Sequence, residues 1–124
     1  MKKILILEDD PIRVLKFHEM FEYHSLTITN TSEATIKIAS SNKFDVIFLD
    51  HDLDGRVYVN SDEKNTGYQV AKILPSTINK NTPVIIHSWN DVGAKRMMGA
   101  MNESGMNSKI IHFGYFDSSI IKEN

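Results

Sequence analysis

Residues 4–11 read Ile4-Leu5-Ile6-Leu7-Glu8-Asp9-Asp10-Pro11: an unbroken apolar run that ends on three carboxylates and a proline. Such a run, with no polar alternation, suits a strand covered on both faces, as in a parallel sheet. Asp10 and Pro11 then open a helix. A carboxylate caps the free N–H groups of the first turn, and proline at the first helical position lacks only an N–H that has no partner there anyway. The stretch is therefore a buried strand, a tight acidic turn and a helix start.

Working outward, comparable apolar runs recur at 26–29, 46–49, 84–86 and 109–113, each bounded by turn residues. Between them lie segments with helical spacing. The first, from Pro11, carries Val14, Leu15, Phe17 and Phe21 as its apolar face. The second spans 32–40 with Ala34, Ile36 and Ile38 toward the core. The third starts at Thr66-Gly67, carries Tyr68, Val70, Ala71, Ile73 and Leu74, and stops at Pro75. The fourth follows Asn90 or Asp91 and ends at Gly105, with Ala94, Met97, Met98 and Met101 as core filling. A short final helix is expected within 114–124. Strands alternating with helices predict right-handed crossovers and an α/β fold, a doubly wound parallel sheet between two helical layers.

The chain has 124 residues, 41% of them hydrophobic and 24% charged, which fits one domain over 1–124. Two domains would leave each half short of a core. A formal charge of −2 and a pI near 6.2 give no general reason for non-specific binding to nucleic acid or a membrane surface, and no DNA partner is expected. No apolar run approaches the roughly 20 residues of a membrane helix, and 4–7 is too short for a signal-peptide core. With no cysteine, the chain can form no disulfide, thiolate nucleophile or cysteine-ligated zinc site, in keeping with a cytoplasmic location. The oligomeric state is left open.

In an open α/β sheet, ligands gather outside the carboxyl ends of the strands. Those ends carry Glu8, Asp9 and Asp10, then Asp50, His51 and Asp52, then His87, Ser88, Trp89 and Asn90, and finally His112. Asp10 reads as a helix cap. Carboxylates crowded on neighbouring strands repel, and a hard divalent cation relieves the repulsion. Glu8, Asp9, Asp50 and Asp52 are thus the expected metal ligands, with magnesium or manganese as the ion. His51 and His87 are the candidate proton carriers and are expected to face one cavity from neighbouring strands. Trp89, Asn90, Lys95, His112 and Asp52 are candidate substrate contacts, with Asn90 also a helix cap. His18 and His24 read as structural or exposed. The polar stretch 53–65, directly after Asp52, is long for a connection that usually takes about 2–6 residues, and long loops of this kind are often functional.

Residues 4–11, Asp45-Val46-Ile47-Phe48-Leu49-Asp50, and Thr82-Pro83-Val84-Ile85-Ile86-His87-Ser88 resemble the first, third and fourth strands of response-regulator receiver domains. The resemblance implies a receiver or flavodoxin-like sheet of five strands in the order 2-1-3-4-5. It places Glu8 and Asp9 at the metal-binding acidic pair, Asp50 at the phosphoacceptor, and Ser88 at the hydroxyl that contacts the phosphoryl group. The departures point further. Receivers carry a lysine at the end of strand five, where this chain reads Ile111-His112-Phe113, and Lys109 lies roughly 10 Å back along the strand. Asp50-His51-Asp52-Leu53, Asn65-Thr66-Gly67-Tyr68 and His87-Ser88-Trp89-Asn90 are similar to the divergent branch called cyclic-phosphate-processing receiver domains.

That resemblance implies a metal-dependent phosphoesterase or phosphotransferase acting on a cyclic or terminal phosphate of a nucleotide or RNA, with Asp50, His51, His87 and Ser88 at the chemistry. Two alternatives stand beside it. One is a signalling receiver phosphorylated on Asp50, and the other is a receiver-derived module that binds a nucleotide or partner without turnover.

Overall fold

The computed structural model describes residues 1–121. Five parallel strands, β1 (Lys3–Leu7), β2 (Ser25–Thr29), β3 (Val46–Leu49), β4 (Val84–Ile86) and β5 (Ser108–Ile110), form one sheet in the order β2-β1-β3-β4-β5. The crossover helices are α1 (Pro11–Met20), α2 (Ser32–Ser41), α3 (Gly67–Ile73) and α4 (Asp91–Glu103). A 3-10 turn, Leu74–Ser76, extends α3 at Pro75, and another, Ser118–Ile121, ends the described chain. The short final helix expected within 114–124 is thus a 3-10 turn as far as Ile121, and 122–124 lie outside the described residues. This is the receiver-like, doubly wound α/β sheet that the strand and helix order predicted.

Side chains alternate across the sheet with the period of two that a strand imposes. Leu5, Leu7, Ile47, Leu49, Val84 and Ile86 face one layer, where they pack with Ala39 of α2, Val70 and Ala71 of α3, and Met97 and Met101 of α4. Ile4, Ile6, Val46, Phe48 and Ile85 face the other, against Phe17, Phe21 and the C-terminal turn. Buried on both faces, the strands need no polar alternation, which is why each read as a continuous apolar run.

Several helix faces differ from the sequence reading. Leu15, expected on the apolar face of α1, is 59% exposed, whereas Phe17 and Phe21, one turn apart, are fully buried. In α2 the most buried positions are Ser32, Thr35 and Ala39, while Ile36 and Ile38 pack against the same core, as expected, but only partly buried. Thr35 is tolerated there because its hydroxyl donates to Thr31 O at 2.7 Å and lies 2.7 Å from the Thr29 hydroxyl. Strand β5 is shorter than the expected 109–113, although Ile111 N still donates to Ile86 O and Phe113 N to His87 O.

Candidate functional site

The site grows out of strand register. Leu7 pairs with Leu49, and Leu49 with Ile86. The next residues, Glu8, Asp50 and His87, stay in step, because Asp50 N donates to Leu7 O at 3.1 Å and His87 N to Leu49 O at 3.0 Å. Parity turns all three side chains toward the α1 layer. They form a buried cluster in which a ligating atom from each lies within 4.8 Å of the others.

His87 Nε2 lies 2.9 Å from Glu8 Oε1. Its ring is fully buried against Phe17, Phe48 and Phe113, and among the described residues Nδ1 finds no polar partner. Nε2–H is therefore the donor to the carboxylate, and Nδ1 faces the rings. A histidine that ligates a metal almost always donates its other ring N–H to a carboxylate or carbonyl. Were Nε2 to hold a cation, Nδ1 would have no such acceptor, so the geometry of His87 suits orienting Glu8 better than holding a cation itself.

Arg13, which the sequence reading passed over, completes the cluster. Its guanidinium sits 3.7 Å from Glu8 Oε1 and 4.0 Å from Asp50 Oδ2, over the Phe113 ring at 5.3 Å. The Asp10 carboxylate caps α1 by accepting from Arg13 N at 3.1 Å, which fixes where the arginine leaves the helix. The clue was present in the sequence: a cation in the first turn of a helix opposes the helix dipole, so it needs acidic neighbours to explain it.

Burial pushes the Asp50 carboxyl up to about 6, and the charge of Glu8 adds to the rise, while His87, the His51 N–H and Arg13 oppose it without cancelling it. Burial acts the same way on Glu8. There, however, the His87 hydrogen bond and charge, the Asp10 N–H and Arg13 outweigh it and hold Glu8 below the usual carboxylate range. A buried acid kept partly protonated beside a buried carboxylate is the electrostatic setting a divalent cation relieves, and these oxygen donors fit a hard ion such as magnesium.

A cavity of about 320 Å³ opens above the cluster. Glu8, Asp9, Asp50, Arg13 and Ser88 line its floor, and Gly55, Arg56, Val57, Tyr58, Trp89 and Asn90 its walls and rim. The 53–65 loop thus covers the carboxyl end of the sheet. Asp9 accepts from Gly55 N at 3.0 Å, tying the loop to β1. Ser88 Oγ accepts from Asn90 N at 3.1 Å, and Asn90 Oδ1 caps α4 at Gly93 N.

Asp52 requires a correction. Its carboxylate accepts from His51 Nδ1, Tyr58 N, Val59 N and Asn90 Nδ2. A carboxylate has about four lone-pair sites, so little capacity remains for a cation. Asp52 anchors the loop, and although burial pulls its pKa up, the bonds from Asn90, His51, Tyr58 and Val59 bring it below the ordinary value.

The two histidines also part company. His51 is one residue past Asp50, so its side chain points to the opposite layer from His87 and does not line the cavity. It is fully buried, donates Nδ1–H to Asp52 at 2.8 Å, and accepts at Nε2 from the Ser61 hydroxyl at 2.7 Å. Its ring lies flush on α4, where a Cβ on Gly93 would come within 2.5 Å of it. A Cβ on Gly67 would meet Asp50 O at 1.9 Å, so α3 starts on a glycine and α4 carries one in its first turn, which lets β3 and the residues after it approach both helices. Ser61 and Gly93 were not singled out in the sequence, and Gly67 was read only as a helix start and part of a motif, although glycine in a first helical turn is a sign of close approach.

Lys95 is exposed on α4 and does not line the cavity. His112 stacks on Trp89 with ring centroids 4.3 Å apart and bonds Asp91 Oδ1 at 2.8 Å, outside the lining itself. Among the described residues, no helix is long and apolar enough to cross a membrane.

Similar chains agree with the geometry. The receiver domain of the sensor histidine kinase PA1611 from Pseudomonas aeruginosa PAO1, whose crystal structure has a magnesium ion coordinated in the active-site cleft, superposes with a TM-score of 0.69 at 19% identity, covering 97% of this chain and 90% of that one. A CheY-like receiver domain protein from Methanospirillum hungatei JF-1 gives 0.71 at 13% identity, covering 98% and 87%. A response regulator from Burkholderia pseudomallei, with a phosphorylated aspartic acid, calcium ion and citrate, gives 0.71 at 13%, covering 98% and 65%. At these identities the likeness shows the fold. No curated protein matches the sequence significantly. The family model described as cyclic-phosphate processing receiver domain matches residues 4–103, most of the chain. The chain belongs to that family.

Proposed function

We propose that this protein is a divalent-metal-dependent phosphoesterase or phosphotransferase acting on a cyclic or terminal phosphate of a nucleotide or RNA end. The observation that carries the reading is the buried Glu8–Asp50 pair, oriented by His87 and flanked by Arg13, at the floor of a roofed cavity. Glu8 and Asp50, with Asp9 beside them, would hold magnesium or manganese, which supplies Lewis acidity toward a phosphoryl oxygen. The Arg13 guanidinium donates to a second phosphoryl oxygen, and the Ser88 hydroxyl to a third. His87 keeps Glu8 aimed through Nε2–H, and His51 and Asp52 hold the loop that excludes bulk water. In this reading the two histidines are positioning residues rather than proton carriers.

The signalling alternative draws support from one feature. The cation absent from the end of β5 has a counterpart in Arg13, 4.0 Å from Asp50 Oδ2, so an acyl phosphate there would not lack a neutralising charge. One experiment separates the readings: wild type and Asp50→Asn are incubated with magnesium or manganese and nucleoside cyclic phosphates, mononucleotides or phosphorylated RNA ends, and in parallel with acetyl phosphate. Metal-dependent turnover, lost in Asp50→Asn, is expected. A stable stoichiometric acyl phosphate on Asp50, with no turnover of any ester, would favour the signalling receiver.

A further inference from the structure

We propose that Trp89 is a preformed stacking platform for a nucleobase, so that the phosphate ester bound in this cavity is a mononucleotide. The inference rests on the reading that the cavity takes a phosphate, and it names the other end of the ligand. Trp89 is 45% exposed at the cavity rim, yet its ring is not free. Nε1–H donates to Phe113 O at 3.2 Å. One face lies on the His112 imidazole, 4.3 Å between centroids at 21°, and His112 is itself held by Asp91. Tyr115 packs at 5.6 Å. A ring clamped by a hydrogen bond and by stacking, yet still 45% exposed in the cavity lining, can meet a ligand with its ordering entropy already spent.

In the same cavity lining the loop presents Tyr58, 76% exposed, with φ +52° and its N–H tied to Asp52 Oδ2 at 2.6 Å. An aromatic residue rarely takes the left-handed region, and such conformations cluster where function needs them. The cavity therefore has an acidic, metal-fitting floor beside the Arg13 guanidinium, which a bound divalent cation would make attractive to a phosphate, and an aromatic rim. That polarity matches a ligand with a phosphate at one end and a flat π-system at the other. Inorganic phosphate or a sugar phosphate would leave the rim unused. A volume near 320 Å³ is at the low end of the roughly 300–1,000 Å³ of small-molecule sites, and the formal charge of −2 offers no track for a polyanion. Both favour a single nucleotide over a longer strand.

The test uses the fact that Trp89 is the chain's one tryptophan, so its fluorescence reports this ring alone. With magnesium present, adenosine 2′,3′-cyclic phosphate and adenosine 3′-phosphate should quench it saturably, while ribose 5-phosphate should not. By calorimetry, Trp89→Leu should weaken both adenosine ligands by about 10- to 100-fold and leave ribose 5-phosphate unchanged, with Trp89→Phe retaining most of the affinity. Absence of quenching, or equal affinity of wild type and Trp89→Leu for the adenosine ligands, overturns the platform even if phosphate esters are turned over. Quenching without turnover of any ester upholds the platform while the enzymatic reading fails. A short oligoribonucleotide binding a hundredfold tighter than the mononucleotides overturns the single-nucleotide ligand.

Discussion

Replacing Asp50 by asparagine should make the metal-free protein more stable near pH 8. The Asp50 carboxyl is raised from its ordinary 3.8 to about 6, burial being the largest cause. Its native form therefore holds a proton that the unfolded form has already lost. The stability this group contributes is fully present below about pH 3.8 and is lost as pH rises through 6. A rise of that size is worth on the order of 3 kcal/mol. Asparagine is near-isosteric and uncharged, and its Oδ1 can still accept from His51 N as Asp50 does at 2.8 Å. In a chain of 124 residues, about 3 kcal/mol moves the unfolding midpoint by about 10 °C. Thermal unfolding in chelator at pH 4 and pH 8 should show the two proteins close together at the lower pH and Asp50→Asn higher at the upper. Adding magnesium at about a hundred times its dissociation constant should raise the wild type by about 2.7 kcal/mol and the variant little. If Asp50→Asn melts below wild type at pH 8 without metal, Asp50 is not strained by its burial and the electrostatic case for a cation fails.

Arg13→Ala should weaken inorganic phosphate binding at least tenfold by calorimetry while changing thermal stability little, since the side chain is 30% exposed; unchanged phosphate affinity would remove Arg13 from the site. His87→Phe, which keeps ring volume but not the donor to Glu8, should cost about 10- to 100-fold in magnesium affinity with the fold retained; full affinity would mean that Glu8 needs no orienting partner. Gly67→Ala should be the most damaging glycine substitution, by about 3 kcal/mol or more, because its Cβ would strike the Asp50 backbone oxygen rather than a side chain that can rotate; a normal melting curve would refute the close approach of α3 to β3.

How much of this was legible in the sequence depended on how local the cause was. β1, the Asp10 cap and the start of α1 follow from neighbouring residues, and so did the strand order once the runs were aligned with receiver strands. The separation of His51 from His87 was also accessible, since Asp50 and His87 are register partners and His51 is one step off, but only after register is fixed does parity say which layer each enters. Asp52 could not be assigned from its neighbours. Its four donors include Tyr58 and Val59 from the loop and Asn90 from the start of α4, contacts that exist only once the loop has folded back. Thr35 has a similar explanation: a polar residue on a core face is satisfied by Thr29 on another element.

The same long-range contacts bear on whether the site switches or binds. A receiver that signals must move when its aspartate is modified, and a movable element is one with few buried contacts and loosely held side chains. Here each residue after β4 is tied: His87 to Glu8, Ser88 Oγ to Asn90 N, Trp89 to Phe113 O and His112, and Asn90 to Asp52 and Gly93. The loop is held from both sides, by Asp9 at Gly55 and by Asp52 at Tyr58 and Val59. A site so restrained loses little conformational entropy when a ligand enters and has little freedom to relay its arrival outward. That restraint is what the proposed phosphate-binding reading requires. Asp52→Ala tests it: with two backbone N–H donors and Asn90 left without their acceptor, the loop should gain rapid amide exchange at Tyr58 and Val59, and ligand affinity should fall while magnesium affinity at Glu8 and Asp50 holds. Amide protection at those two residues unchanged from wild type would mean that the loop is held by something other than Asp52, and the case for a preorganised cavity would lose its central support.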